Sequence, residues 1–150
     1  MEKRNVTVSA IVAAIVLIGD QLSKHWAETW LRANGEYKIW DGVLHLRYVE
    51  NRGAAFGMMQ GGKWFFLAIT GIACAAMLYF LIKERKRLHF MMTFSLALLL
   101  SGAIGNLIDR VALGYVRDMI YVALIDFAVF NVADMAVTVG CCLLVLDLLF

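Results

Sequence analysis

Four long apolar segments constrain this chain more than any other feature of its sequence. They span residues 6–19, extended by the helical turn that holds Asp20, and residues 64–82, 90–108 and 131–150. A helix needs about 20 mostly apolar residues to cross a bilayer. Hydrophobic residues make up 62% of the 150 positions, and the mean hydropathy of +0.74 sets the chain apart from soluble domains. We therefore predict an all-α integral membrane protein with four transmembrane helices.

The first apolar segment follows a basic stretch, "MEKRN", as the apolar region of a secretory signal peptide would. A signal peptide also needs a small-x-small cleavage site after its apolar region. The residues that follow here are "DQLSKHW", which offer no such site. We expect this segment to be retained as the first transmembrane helix.

Basic residues predict the orientation of the helices. Lys3 and Arg4 precede the first segment, and "KERKR" (83–87) lies between the second and the third. Cytoplasmic loops are enriched in Lys and Arg, so we predict that both termini are cytoplasmic. The loop 26–63 also holds five basic residues, but it is longer and mixes them with four acidic ones.

Polar residues recur every three or four positions near one end of three apolar segments. The three sets are Asp20 with Lys24, Gly102 with Asn106 and Arg110, and Asn131 with Asp134 and Thr138. Residues three or four apart share one helix face, and alternate threading of the segments brings all three sets to the outer ends of their helices. A carboxylate costs roughly 2.5 to 3.5 kcal/mol at mid-bilayer. The pattern therefore predicts a polar site just below the outer membrane surface.

Each polar set also has a purely structural explanation. Asp20 and Lys24 could form an interfacial ion pair, and Asp109 could pair with Arg110 at a helix end. Asn131 could cap the last helix, a position at which Asn is favoured. These separate explanations do not predict that all the polar residues share one leaflet, so we favour a functional site.

The loop between the first two segments has the pattern of a small sheet. Asp41-Gly42 is a hairpin signal, and apolar and polar residues alternate in "LHLRY" (44–48), as in a half-buried strand. We predict a small extracytoplasmic β-sheet platform between helices one and two, where an extended peptide could pair with a strand. A plain structural hairpin explains the loop alone equally well. The strand would end beside the helix mouths at Asn51, Gly53 and the Ala54-Ala55 pair.

Asp134 needs a partner that makes its burial tolerable, and the loop 109–130 offers Asp118 and Asp126. Two poorly solvated carboxylates in contact do not both ionise, so they share one proton at neutral pH. Such a pair can hydrolyse amides, because one carboxylate takes a proton from water and the other gives one to the carbonyl oxygen. The residues favour Asp118, since "YVRD" follows a glycine and is typical of a short strand. Asp126 lies in an apolar run that is more typical of an interfacial flap, yet it stays open as an alternative.

Five ordered motifs carry a resemblance to a known family. They are "DQLSK" (20–24), "ENRGAAFG" (50–57), "GAIGNLIDR" (102–110), "GYVRDMI" (114–120) and "FNVAD" (130–134). Together they resemble the motifs of lipoprotein signal peptidase, also called signal peptidase II. The resemblance implies one membrane-embedded peptidase domain over residues 1–150, in the bacterial plasma membrane, with its active site at the outer face. It also implies an aspartic endopeptidase that cleaves prolipoproteins just before a lipobox cysteine carrying diacylglycerol.

The resemblance implies roles for nine residues. Asp118 and Asp134 would be the catalytic aspartates. The residues that would bind substrate or support this pair are Asp20, Lys24, Asn51, Gly105, Asn106, Arg110 and Asn131.

We expect neither a cofactor nor a metal ion, because the three histidines and three cysteines have no metal-ligand spacing. The expected partners are diacylglyceryl-prolipoproteins and the lipid bilayer, with no nucleic acid, and the chain is expected to act as a monomer.

Two other classes of function fit the sequence less well. A carrier would place its polar site near the bilayer midplane, but here the mid-depth positions are apolar and Asp147 is expected to lie alone at the cytoplasmic end. A scaffold that binds lipid-anchored proteins would need the polar groove but not two carboxylates that share a proton.

Overall fold

The computed structural model describes residues 2–53 and 62–150. Four helices in these ranges are long and apolar enough to cross a membrane. They are α1 (Glu2–Trp26), α2 (Lys63–Glu84), α3 (Phe90–Ala112) and α4 (Val132–Leu149). The prediction of four transmembrane helices is confirmed.

The first helix continues past its predicted membrane segment. After Trp26 it passes through a π-helical turn, Ala27–Leu31, and a short α-helical stretch, Arg32–Asn34. Ala27 and Leu31 are buried with Met119 in an apolar cluster beneath the sheet. The added helical turns therefore pack against the sheet and support it.

Helix α3 is the centre of the bundle and packs against α1, α2 and α4. The contact between α3 and α4 is close because two glycines face the neighbouring backbone. A Cβ on Gly102 would lie 2.4 Å from the carbonyl oxygen of Ala133, and one on Gly140 would lie 2.9 Å from that of Ser95. Small residues allow this kind of approach between transmembrane helices, so the packing fixes the position at which α4 meets α3.

A three-stranded antiparallel sheet sits at one end of the bundle. Its strands are β1 (Tyr37–Trp40), β2 (Leu44–Asn51) and β3 (Val116–Val122), in the order β1-β2-β3. The predicted sheet is confirmed, and β3 adds a strand from the connection between α3 and α4. Because β3 pairs with β2, the sheet joins the two connections at the same end of the bundle.

The predicted hairpin at Asp41-Gly42 is present, and its loop has three residues between Trp40 and Leu44. Gly42 has a φ of 72°, a left-handed conformation that glycine adopts without steric cost. The predicted strand end includes Ala54-Ala55, which lies outside the described residues.

Asp147 is not alone at the far end of the bundle, so that expectation was wrong. The Nε2 atom of His89, at the start of α3, lies 2.5 Å from Oδ1 of Asp147, near the end of α4. This contact joins the two helices at the end opposite the sheet.

We predict that Gly102→Ala lowers the thermal unfolding midpoint in detergent, because the added Cβ would meet the Ala133 carbonyl oxygen and the side chain of Val137. Overpacking of this kind costs about 1–3 kcal/mol. Gly71→Ala in α2 is the control, since its Cβ would have no heavy atom within 4 Å. An unchanged midpoint for Gly102→Ala would contradict the close approach of α3 and α4.

Candidate active site

The nine predicted site residues come together at the end of the bundle that carries the sheet. Helix α1 supplies Asp20 and Lys24, β2 supplies Asn51, α3 supplies Gly105, Asn106 and Arg110, β3 supplies Asp118, and the start of α4 supplies Asn131 and Asp134. Five elements that are distant in sequence therefore meet at one polar site.

Asp134 is fixed by the start of its own helix. Asn131 is the N-cap of α4, and its Oδ1 accepts a hydrogen bond of 2.9 Å from the backbone N–H of Asp134. In return, the backbone N–H of Asn131 donates to Oδ2 of Asp134 at 3.2 Å. This reciprocal arrangement is a capping box, which satisfies two otherwise unpaired helix donors. The cap expected from the sequence is therefore present, and it also orients the carboxylate.

Asn131 connects this helix cap to the second predicted aspartate. Its side-chain amide donates to Oδ1 of Asp118 at 2.6 Å, while its backbone N–H donates to Asp134. One fully buried asparagine therefore contacts both carboxylates.

A second asparagine, Asn106, holds the other oxygen of Asp134. Its Nδ2 donates to Oδ1 of Asp134 at 2.7 Å. Its Oδ1 accepts from Lys24 at 2.9 Å and from Asn131 at 3.2 Å. The amide orientation follows from these contacts, because Lys24 has only donors and the Asp134 carboxylate only acceptors.

Asp118 lies on β3, outside the membrane-spanning helices, and only 1% of its surface is exposed. Asn51 on the paired strand β2 donates to its Oδ2 at 3.0 Å. Burial raises the pKa of Asp118 to about 7, and the negative charge of Asp134 adds to the increase. Asp118 is therefore held in an environment where a proton can be shared near neutral pH.

The ion pair between Asp20 and Lys24 is buried rather than interfacial. The two side chains approach to 2.8 Å, and both residues are fully buried. The second oxygen of Asp20 accepts a hydrogen bond from the backbone N–H of Ala133 in the first turn of α4. Gly105 provides the space, because a Cβ there would lie 2.6 Å from Oδ2 of Asp20. This pair fixes α1 against the start of α4.

Sequence reasoning missed a second buried ion pair, between Asp109 and Arg117. The Arg117 guanidinium donates to both oxygens of Asp109, at 2.8 and 3.2 Å, and the Arg117 backbone N–H also donates to Asp109 at 2.9 Å. Glu28 accepts a further hydrogen bond from Arg117 at 2.8 Å. The sequence offered Arg110 as a closer neighbour of Asp109, and nothing in its spacing indicated Arg117.

Arg110 therefore does not form the helix-end pair with Asp109 that the sequence suggested. Its guanidinium lies 5.1 Å from the ring centroid of Phe66 and donates to the carbonyl oxygen of Gly53 at 3.4 Å. It also lines the cleft that contains both predicted aspartates. This position leaves a positive charge beside the polar site.

Asp126 does not take the place of Asp118. It has a left-handed φ of 47°, and its Oδ1 accepts a hydrogen bond of 2.7 Å from the hydroxyl of Tyr121. Of the two open alternatives, the geometry therefore places Asp118 beside Asn131 and Asp134.

A cleft of about 570 Å³ opens onto the two carboxylates. Its polar end contains Asp118, Asp134 and Asn51, and its wall continues along α4 to Val139. The cleft can therefore bind the polar backbone and the apolar groups of one ligand in a single continuous space. In the part of the chain that the structure describes, no group of three or more His, Cys, Asp or Glu residues could hold a metal ion.

Comparisons with known proteins match this chain to one family over nearly its whole length. A family model described as "Signal peptidase (SPase) II" matches residues 12–150. The lipoprotein signal peptidase of Streptococcus thermophilus (strain CNRZ 1066) is 46% identical over 142 residues, which cover 94% of this chain and 92% of the relative. That of Symbiobacterium thermophilum is 41% identical over 143 residues, covering 94% of this chain and 93% of the relative.

A solved structure shares the same fold. It is described as a bacterial membrane enzyme determined by the in meso method at 2.3 Å resolution. It is 36% identical, has a TM-score of 0.87, and is matched over 95% of this chain and 88% of its own.

We predict that Lys24→Met strongly destabilises the protein, because it leaves the buried carboxylates of Asp20 and Asp109 without their shared cation. Removing one partner of a buried ion pair costs about 3–5 kcal/mol. The measurement is the unfolding midpoint in detergent. Lys38→Met is the matched control, since the Lys38 side chain is 55% exposed, and its midpoint is expected to stay unchanged. Equal unfolding midpoints for the two variants would contradict the role of Lys24 as the shared cation of Asp20 and Asp109.

Proposed function

Because this chain belongs to the signal peptidase II family, we propose that it is an aspartic endopeptidase that removes signal peptides from diacylglyceryl-modified prolipoproteins. It cleaves immediately before the lipidated cysteine, and Asp118 and Asp134 activate the attacking water. The observation that carries this proposal is the contact of both carboxylates with the buried Asn131.

The environment of the two carboxylates supports proton sharing. Asp118 and Asp134 both line the cleft, and neither has a lysine or arginine within ion-pair distance among the described residues. Their neighbours are neutral amides from Asn51, Asn106 and Asn131. Amides orient a carboxylate without neutralising its charge, so the two acids lower their mutual repulsion by keeping one proton between them.

The proposed reaction uses this single proton. The ionised carboxylate takes a proton from water as the water oxygen attacks the scissile carbonyl carbon. The protonated carboxyl group gives its proton to the carbonyl oxygen, which produces a neutral tetrahedral diol. As the C–N bond breaks, one carboxyl group returns a proton to the nitrogen of the cysteine, and the other takes one from the diol. Neither aspartate becomes covalently attached to the substrate.

The cleft provides a place for a substrate held in the membrane. Its wall includes Val137 and Val139 on the transmembrane helix α4 and reaches the carboxylates at the start of that helix. The acyl chains and apolar signal peptide can therefore remain among apolar groups while the scissile bond reaches Asp118 and Asp134. Arg110 lies at the same cleft and can donate hydrogen bonds to the peptide backbone.

We further propose that residues 1–150 act as one peptidase domain in the bacterial plasma membrane, with both termini cytoplasmic. The basic stretch 83–87 supports this orientation, because it covers the end of α2 and the turn that follows it, at the end of the bundle opposite the sheet. The active site and the sheet would then lie at the outer face.

We predict that Asp118→Asn and Asp134→Asn each lower kcat by at least about 100-fold, because either change removes one acid–base group. The assay is cleavage of a diacylglyceryl-modified prolipoprotein in detergent. The matched control is Asp41→Asn, because Asp41 lies in the exposed hairpin turn, pairs with Lys38 and does not line the cleft. Its activity is expected to remain within about twofold of the unmodified protein, since it takes no part in proton transfer.

The unfolding midpoint of each variant in detergent shows whether a loss of activity comes from the lost acid–base group or from unfolding. Both amide variants keep an oxygen that can accept the hydrogen bonds described above, so we expect them to fold. A folded Asp118→Asn or Asp134→Asn variant with normal turnover would exclude that residue from catalysis.

We also predict that kcat/KM falls as the pH rises above about 7. The pKa of Asp118 is raised to about 7 by burial and by the charge of Asp134. The protonated form therefore persists below this pH and is lost above it, which leaves the pair without its acid. The expected decline approaches about tenfold per pH unit on the alkaline side. A flat profile between pH 6 and pH 9 would contradict the shared proton.

A further inference from the structure

A second cavity, of about 310 Å³, adjoins the first cleft at Asp118. The two spaces share five lining residues: Asn51, Asp118, Phe127, Ala128 and Val129. Because both open at Asp118, a peptide whose scissile bond lies at this residue can extend into each of them.

The two spaces lead in different directions. The first continues along α4, whereas every residue that lines the second belongs to β2, β3 or the segments that follow these strands. None of them belongs to a membrane-spanning helix. A prolipoprotein is held in the membrane by its signal peptide and by the diacylglyceryl group on the cysteine, and only the chain that follows the cysteine leads away from the helices. The second cavity is in the place that this following segment would occupy.

Arg47 is the charged group of this cavity that has no ionic partner among the described residues. Its guanidinium lies 4.1 Å from the ring centroid of Tyr121, and its buried Nε has no hydrogen-bond acceptor in residues 2–53 and 62–150. A planar guanidinium stacked on a ring keeps its outer N–H groups free to donate, and a carboxylate can accept two of them.

The other charged groups of the cavity have partners. Glu50 lies 3.2 Å from Arg52 and 3.6 Å from Arg32. Asp126 accepts the hydrogen bond from Tyr121, and Asp118 accepts those of the two asparagines. The unsatisfied donor in this space is therefore Arg47.

A bulge in β2 brings Arg47 to this position. The register of β2 against β3 shifts between Leu46 and Val49, so that Arg47 and Tyr48 together lie opposite Met119. Bulges beside active sites redirect side chains that a regular strand would place elsewhere.

We propose that this cavity binds the residues that follow the lipidated cysteine, and that Arg47 selects substrates with an acidic side chain among the first of these residues. The inference rests on the proposed function and adds a specificity-determining residue to it. Arg47 takes no part in bond cleavage; it binds the segment that remains on the mature lipoprotein.

The test compares diacylglyceryl-modified prolipoproteins that differ at one position, the second residue after the cysteine, which carries Glu, Gln or Lys. We expect the unmodified protein to cleave the Glu substrate with a kcat/KM about three- to tenfold higher than the Gln substrate, as a partly exposed charge-assisted contact would give. Arg47→Gln is expected to remove this preference by slowing only the Glu substrate. Arg47→Glu is expected to favour the Lys substrate instead.

Lys38→Gln is the matched control, because it removes a positive charge from β1 outside both cavities and should leave the preference unchanged. Equal cleavage of the Glu and Gln substrates by the unmodified protein would overturn the inference. It would also be overturned if Arg47→Gln slowed both substrates equally, as a purely structural role predicts. Failure of the unmodified protein to cleave any of the substrates would instead overturn the proposed function, and this inference with it.

Discussion

Acidic groups in a mostly apolar helix bundle must be matched by donors, and this requirement organises the sheet-bearing end of the molecule. An unpaired charge in such surroundings costs several kcal/mol, and the site contains three buried carboxylates and a partly buried one. Asp20 and Asp109 are matched by cations, whereas Asp118 and Asp134 are matched mainly by amides. The same end of the bundle therefore contains two carboxylates whose charge is neutralised by a cation and two whose charge is not neutralised in this way.

The cation-matched carboxylates determine where the other two lie. Asp109, near the end of α3, binds both the side chain and the backbone N–H of Arg117. Arg117 directly precedes Asp118. The Asp109–Arg117 ion pair therefore fixes the start of β3 and, with it, the position of Asp118. Asp20 acts in the same way on α4, because it binds the backbone N–H of Ala133, the residue before Asp134. Each amide-bound aspartate is thus adjacent in sequence to a residue that a buried ion-pair network holds in place.

Local patterns were sufficient to predict the four helices, the hairpin and the polar helix faces, because each depends on residues a few positions apart. They favoured Asp118 but could not exclude Asp126, since the course of that loop depends on the distant strand β2 and on Asp109. The Asp109–Arg117 pair was missed for the same reason: it forms across a turn between a helix and a strand, where no periodicity relates the two residues. The catalytic roles of Asp118 and Asp134 remain a proposal, which the placement of both residues at Asn131 supports.

The capping box of α4 has a consequence for the biogenesis of this membrane protein. The two hydrogen bonds that nucleate the last helix also orient one carboxylate and bring its asparagine into contact with the other. A nascent polypeptide whose final helix has not yet formed therefore lacks the contacts that place these two carboxylates at Asn131. Assembly of the proposed active site is therefore coupled to formation of the last helix.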